Sequence, residues 1–293
     1  MAATARPRRS VLYMPGANAR ALEKARGLPA DALIFDLEDA VAPDQKPAAR
    51  DQIGAAVRHG GYGRRELLVR VNGLATPWGE ADLRTAASLA IAGVVLPKVE
   101  SAAMVQAAEA ILVGAGAPTT LALWCMMETP LGMLHAEAIA GASPRVAGLV
   151  MGTSDLANDL HAAHTRDRLP LITALGLCLL AARAHGLAIL DGVHLDLADD
   201  TGFAAACRQG RELGFDGKTL IHPKTLAVAN QVFAPAQDEV AWARRVIAAH
   251  AEAVAAGKGV VLVDGKLIEN LHVADAQRVV ALAEQIAALE AGA

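Results

Sequence analysis

The chain has 293 residues, 54% of them hydrophobic and 3% aromatic, with a formal net charge of −4. That length fits one large α/β barrel or two ordinary domains. A weakly acidic, aromatic-poor chain lacks the basic field and stacking platforms of nucleic-acid binders, and no run of about 18 apolar residues free of charges and breakers offers a membrane span.

The N-terminal MAATARPRRS is basic, but no long apolar stretch follows it, which argues against a secretory signal. Eight strand-like runs then alternate with helical patterns, near residues 11–14, 32–36, 67–71, 93–97, 121–127, 147–151, 188–191 and 218–222. Helices are expected between them, among others over 82–92, 102–113, 171–185 and 199–213. Alternating β and α elements imply a parallel sheet, and eight such units close into an α/β TIM (β/α)8 barrel. An open dinucleotide-binding sheet is the alternative. Its glycine fingerprint is missing, because the candidate GAGAP at 114–118 follows a helix rather than a strand.

Beyond the eighth strand the pattern changes. A long Ala-rich helix is expected over 238–256, then a strand-like segment GKGVVLVDGKLIENLH, then a last helix over 273–289. We divide the chain into a barrel, 1–235, and a C-terminal arm with a lid segment, 236–293, that packs on a neighbouring subunit. Cys125, Cys178 and Cys207 are too far apart for a zinc knuckle or a disulfide framework, which suggests a reduced, cytoplasmic setting.

Five of the apolar runs end in charge: Asp36, Glu38 and Asp39 in ALIFDLED, Arg70 in LLVRVNG, Lys98 in VVLPKVE, Glu128 in LALWCMMETP and Asp155 in AGLVMGTSD. Strand C-termini are where such barrels place their chemistry. Glu128 and Asp155 end adjacent strands, so both carboxylates can meet one hard divalent cation such as Mg2+, with water completing its shell. A structural ion pair between Glu128 and Arg70 is the alternative. Asp36 and Glu38 share one face of an extended chain; with Asp39 they either orient metal-bound water or pair with Lys46, Lys98 or Arg50.

Arg70 stays charged and suits an anion or a developing oxyanion, or a salt bridge to Glu38 or Glu128. Lys98, among acids that raise its pKa, reads as an ion-pair residue rather than a Schiff-base amine. Gly152, Thr153 and Ser154 begin a helix whose backbone N–H groups suit a carboxylate; an N-cap by Ser154 or Asp155 is the plainer reading. Cys125 and Met127 read as core, and His161 and His164 as surface residues of a polar loop.

The strings SVLYMPG, FDLEDAVAPDQKPAAR, LLVRVNG, VVLPKVE, METPLGML, MGTSDLANDL, GFDGKTLIHP and VDGKLIENLH, in this order over most of the chain, resemble the citrate lyase β-subunit-like family of the HpcH/HpaI aldolase superfamily. The resemblance implies a trimeric or hexameric TIM barrel that uses Mg2+ on Glu128 and Asp155. It implies Arg70 facing a substrate carbonyl and its enolate, and Ser10, Asn18, Arg20 and Lys24 bordering a coenzyme A groove. It makes Asp264, in the D-G-K lid, an acid/base that reaches the next subunit's site. By composition alone Asp264 is a turn residue before Gly265. The β subunit of citrate lyase itself tends to carry Asn there, which points to a free-standing lyase. The expected reaction is reversible cleavage of malyl-CoA or citramalyl-CoA to acetyl-CoA and glyoxylate or pyruvate. The rivals are a malate-synthase-like enzyme with a thioesterase step, a coenzyme A-independent 2-oxo acid aldolase, and a non-catalytic subunit.

Overall fold

In a computed structural model that describes residues 6–257 and 259–292, eight parallel strands form a closed barrel in sequence order. The first residues of the basic N-terminus and Lys258 lie outside the described residues. The strands are β1 (Ser10–Pro15), β2 (Ala32–Asp36), β3 (Glu66–Arg70), β4 (Gly93–Leu96), β5 (Ala122–Met127), β6 (Val146–Met151), β7 (Ala188–Asp191) and β8 (Gly217–Leu220). β8 returns to β1 with Lys218 opposite Ser10, which closes the ring. No helix among the described residues is long and apolar enough to cross a membrane.

Alternation along each strand divides the core. Val11, Ala32, Ile34, Leu68, Val95, Trp124, Met126, Val150 and Leu190 fill the lumen, while their neighbours pack against the helices outside. Trp124 is the largest of these fully buried side chains, and two glycines make room for it. A Cβ on Gly148 would overlap the indole, and one on Gly93 would crowd it. The Arg8 guanidinium lies 4.9 Å from the centre of the Trp124 ring.

Between β7, β8 and the helix Asp200–Leu213, the buried Asp191 accepts from Lys218 Nζ at 2.7 Å and from Arg168 Nη1 at 2.7 and 2.8 Å. This ion cluster was not apparent from the sequence. Removing Asp191 would leave the buried Lys218 charge unpaired, which typically costs about 3–5 kcal/mol.

Two expectations need correction. The helix placed at 82–92 runs Gly79–Ala86. It starts early because Gly79 packs against the carbonyls of Asn72 and Gly73, where a Cβ would not fit; the chain then turns through 87–92 to enter β4. The single strand-like segment of the tail is a hairpin, β9 (Val261–Val263) and β10 (Lys266–Ile268). Its turn is Asp264-Gly265, both with positive φ (49° and 78°), the conformation that favours Asp-Gly in two-residue hairpins.

The tail helices Gln237–Ala255 and Asn270–Ala291 pack on each other and on the hairpin. Ala243, Val246, Val263, Ile268, Val273, Ala276 and Val279 make a core of their own. The arm is tied to the barrel at its base, where Glu290 meets Arg9 at 3.0 Å and Glu239 meets Arg211 at 2.6 Å. At its far end Leu262, Leu267 and Leu271 are exposed.

Candidate active site

The C-terminal ends of the strands enclose a cavity of about 360 Å³. Asp36, Asp39, Arg70, Glu128, Gly152, Thr153, Ser154 and Asp155 line it, together with Tyr13, Met126, Met151, Val193, Thr219 and Ile221. The charged strand ends thus converge as the sequence suggests. The apolar and phenolic walls carried no signal beyond strand alternation.

Arg70 is held by three acids: the expected salt bridge to Glu38 is present, the one to Glu128 is not, and Asp36 makes the bidentate contact. Its Nε and Nη2 donate to Asp36 Oδ1 and Oδ2 at 2.7 and 2.6 Å, and Nη1 reaches Asp39 at 3.3 Å. Asp36 also accepts the amides of Glu38 and Ala40. It therefore fixes both Arg70 and the turn that carries the other acids. Glu38 Oε2 lies 2.7 Å from Arg70 Nη1 but off the N–H direction, so this buried oxygen has no hydrogen-bond donor. Lys46 donates to the carbonyls of Leu37 and Glu38, and Arg50 pairs with Asp82. These two cations support the loop backbone and a neighbouring helix rather than the Asp36 and Glu38 side chains.

Glu128 does not pair with Arg70. Its Oε1 accepts the Lys98 amide at 2.7 Å, and Thr129 immediately caps the next helix through Gly132 N. Gly152 is needed beside it, because a Cβ there would overlap Glu128 Cβ and stand 2.5 Å from Oε2. Burial first, then the nearby Glu38 and Asp155, push the Glu128 carboxyl up to about 7, against the bond from the Lys98 amide.

Lys98 has a left-handed backbone, φ 48°, and its Nζ lies 3.1 Å from Asp155 and 3.6 Å from Glu38. It is an ion-pair residue, with its pKa raised despite partial desolvation by these carboxylates. The helix Thr153–Asp159 is capped by Gly152 without any side-chain bond. Neither Ser154 nor Asp155 caps it, and Ser154 Oγ is buried without a partner.

The donor set fits a hard divalent cation. Asp36, Glu38, Asp39, Glu128 and Asp155 face Arg70 and Lys98, so carboxylates outnumber cations, and the acceptor capacity of Glu38 Oε2 is unused. Among the described residues no three His, Cys, Asp or Glu side chains form a full metal cage. Two carboxylates with open positions for water and substrate are the arrangement Mg2+ accepts.

Other expected residues lie elsewhere. Ser10 begins β1, at the opposite end of the barrel from the cavity; it is fully buried, and its hydroxyl bonds Asn230 Oδ1 and the Asp31 amide. It cannot border a groove at the cavity mouth. Asn18 accepts from Ala21 N as the cap of the helix Ala19–Ala25, on which Arg20 and Lys24 are exposed. Asp264 does not line the cavity of its own chain and pairs with Arg245 at 2.9 Å on the arm. Cys125 and Met127 are core, and His161 and His164 are exposed.

Residues 9–223 match the family model described as HpcH/HpaI aldolase/citrate lyase. The chain is 53% identical over 291 residues to a (3S)-malyl-CoA thioesterase of Cereibacter sphaeroides (strain ATCC 17025 / ATH 2.4.3), covering 99% of this chain and 100% of the relative. It is 35% identical over 308 residues to an L-malyl-CoA/beta-methylmalyl-CoA lyase of Cereibacter sphaeroides (strain ATCC 17029 / ATH 2.4.9), covering 97% of each. Among solved structures it is similar to the protein CitE from Mycobacterium tuberculosis in complex with magnesium, acetoacetate and coenzyme A, with TM-score 0.75 and 31% identity over 94% of this chain and 97% of that one.

Proposed function

Because the chain belongs to the HpcH/HpaI aldolase/citrate lyase family, we propose that it is a Mg2+-dependent enzyme acting on the coenzyme A thioester of a 2-hydroxy dicarboxylic acid, malyl-CoA first. The observation that carries this is the convergence of Glu128 and Asp155 beside Arg70 at one end of the barrel. Mg2+ on Glu128 and Asp155 would supply Lewis acidity toward the hydroxyl and carboxylate oxygens of the acid.

The residues of the chain do the rest. Asp36 holds the Arg70 guanidinium rigid, so that it can face the thioester carbonyl oxygen without reorganising. The first-turn amides of Thr153 and Ser154 receive the free carboxylate, whereas the Gly152 amide, expected to join them, donates to the Met127 carbonyl at 2.9 Å. Lys98 and Glu38 keep the acids oriented. In carbon–carbon cleavage, charge collects on the acyl oxygen as an acetyl-CoA enolate; in hydrolysis it collects on the same oxygen when water adds. Arg70 serves either course. Asp264, on a hairpin at the end of an arm with exposed leucines, would enter from a neighbouring copy and hold the proton exchanged with the enolate carbon. The arm, residues 236–293, is then the exchanged element of a homotrimer or hexamer, and the three reduced cysteines suit a cytoplasmic setting.

Hydrolysis to malate and free coenzyme A is favoured by the 53% likeness to a thioesterase over the full length. Cleavage to acetyl-CoA and glyoxylate is the second reading, favoured by the likeness to the malyl-CoA lyase. Incubation of the purified chain with (3S)-malyl-CoA and with citramalyl-CoA, followed by product separation, tests both. Malate with free coenzyme A identifies hydrolysis, and acetyl-CoA with a 2-oxo acid identifies cleavage. Turnover of neither by folded protein would refute the proposal.

A further inference from the structure

Tyr13 stands on β1 inside the lumen and lines the cavity floor. Its ring lies under Arg70, with the guanidinium carbon 4.9 Å from the ring centre. Among the described residues its hydroxyl has one partner, the Met126 thioether, at 3.6 Å. Arg70 Nη1 rests on the same sulfur at 3.7 Å. A thioether is a weak acceptor, so the strongest donor on the floor lacks a strong acceptor. Arg70, by contrast, is encumbered: Nε and Nη2 bond Asp36, and Nη1 faces Glu38 and Asp39.

We propose that Tyr13 is a further catalytic residue, whose hydroxyl donates a hydrogen bond from the cavity floor to the acyl oxygen that Arg70 also faces. This rests on the function proposed above and adds a donor that no carboxylate competes for. A charged donor and a neutral one then flank the oxygen where negative charge develops, as in an oxyanion hole. The phenol gives up no proton in the step. Its hydrogen bond shortens as charge grows on the acyl oxygen and relaxes as the charge leaves. Burial foremost, with Asp36, Glu128 and Glu38 adding to it against Arg70, pushes the phenol's ionisation well above its ordinary range, so it remains a donor.

Ring and hydroxyl have separable roles, because the ring alone carries the cation–π contact with Arg70. Tyr13→Phe keeps the ring; Tyr13→Leu removes both. Each variant is compared with wild type on (3S)-malyl-CoA and citramalyl-CoA with Mg2+, alongside thermal unfolding. Tyr13→Phe is expected to unfold with the wild type yet lose on the order of 10²-fold in kcat, as for an oxyanion donor. Its KM should stay within about threefold, the signature of an interaction made in the transition state. Tyr13→Leu should lose at least as much. A Phe variant with kcat within about threefold of wild type, or with its loss in KM alone, would overturn the proposal. In that case a poor Leu variant would assign Tyr13 to holding Arg70 only. A wild type that turns over neither thioester would refute the functional reading itself and this proposal with it.

Discussion

Arg70 and Asp36 meet through both prongs of the guanidinium, at 2.7 and 2.6 Å, with both side chains almost wholly buried. Bidentate pairs of this kind fix orientation as well as charge. Asp36→Asn removes the matching charge and turns one acceptor into a donor. We expect a loss of about 3–5 kcal/mol, the range for breaking a buried pair, together with a fall in kcat. Denaturant unfolding and steady-state kinetics check this; a variant as stable and active as wild type would contradict it.

Gly152 and Glu128 cannot both keep their places if a side chain is added at 152, because a Cβ would stand 2.5 Å from Glu128 Oε2. Gly152→Ala keeps an allowed φ of −98°, but its Cβ would overlap Glu128 Cβ, so it should displace the end of β5 and the carboxylate together. Mg2+ affinity measured by calorimetry should fall at least about tenfold, the size of effect seen when metal ligands lose their support.

On the proposed site Mg2+ would compete with protons for Glu128, whose carboxyl is pushed up to about 7 by burial in the metal-free protein. Metal binding therefore displaces a proton, and apparent affinity should weaken as pH falls below about 7, approaching tenfold per unit from this group. The sign for stability is the reverse. The folded carboxyl holds its proton to higher pH than the unfolded value of 4.5, so this group's contribution to metal-free stability falls as pH rises through 4.5 toward 7. Mg2+ titrations at pH 6 and 8, with proton release read from buffers of different ionisation enthalpy, test the first statement. Equal affinity at both values would contradict it.

The strand ends of this site were legible in the sequence for a physical reason. Parallel strands covered on both faces read as continuous apolar runs, and β2 and β7 lie where the pattern puts them, ending at Asp36 and Asp191. Which face the last residue takes decides where its charge goes: Asp36 lines the cavity at the barrel mouth, whereas Asp191 pairs with Lys218 and Arg168 outside the cavity. The same logic fails for Ser10, because a motif near a strand does not say which end it occupies, and a six-residue strand spans about 20 Å. It fails also for Tyr13 and Met126, whose inward direction is ordinary for core residues until Arg70 is seen above them. Glu128 and Asp155 were foreseen as neighbours, whereas the role of the Lys98 backbone was not, because a main-chain amide leaves no mark in sequence.

The cysteines should be inert. Cys125, Cys178 and Cys207 are buried, and desolvation pushes their thiols up to about 12, 12 and 11. A thiolate is the reactive form, so a thiol reagent should label none of them until the protein unfolds, and Cys125→Ala should keep its turnover. Rapid labelling of the native protein would contradict this.

The exchanged arm can be tested by complementation. Arg70→Ala and Asp264→Asn should each be nearly inactive alone. Refolded together in equal amounts, they should recover about a quarter of wild-type activity, because a barrel from one variant meets an arm from the other at random in a symmetric oligomer. No recovery would place Asp264 outside the site.

The central claim is that Glu128 and Asp155 hold the Mg2+ that turns over malyl-CoA. The most direct measurement is turnover of (3S)-malyl-CoA by wild type and Glu128→Gln, each with EDTA and across a Mg2+ titration. The account predicts that wild type is silent in EDTA and saturates with Mg2+, and that Glu128→Gln stays folded but is inactive until Mg2+ is raised far higher. Undiminished turnover in EDTA, or wild-type Mg2+ dependence in Glu128→Gln, would contradict it.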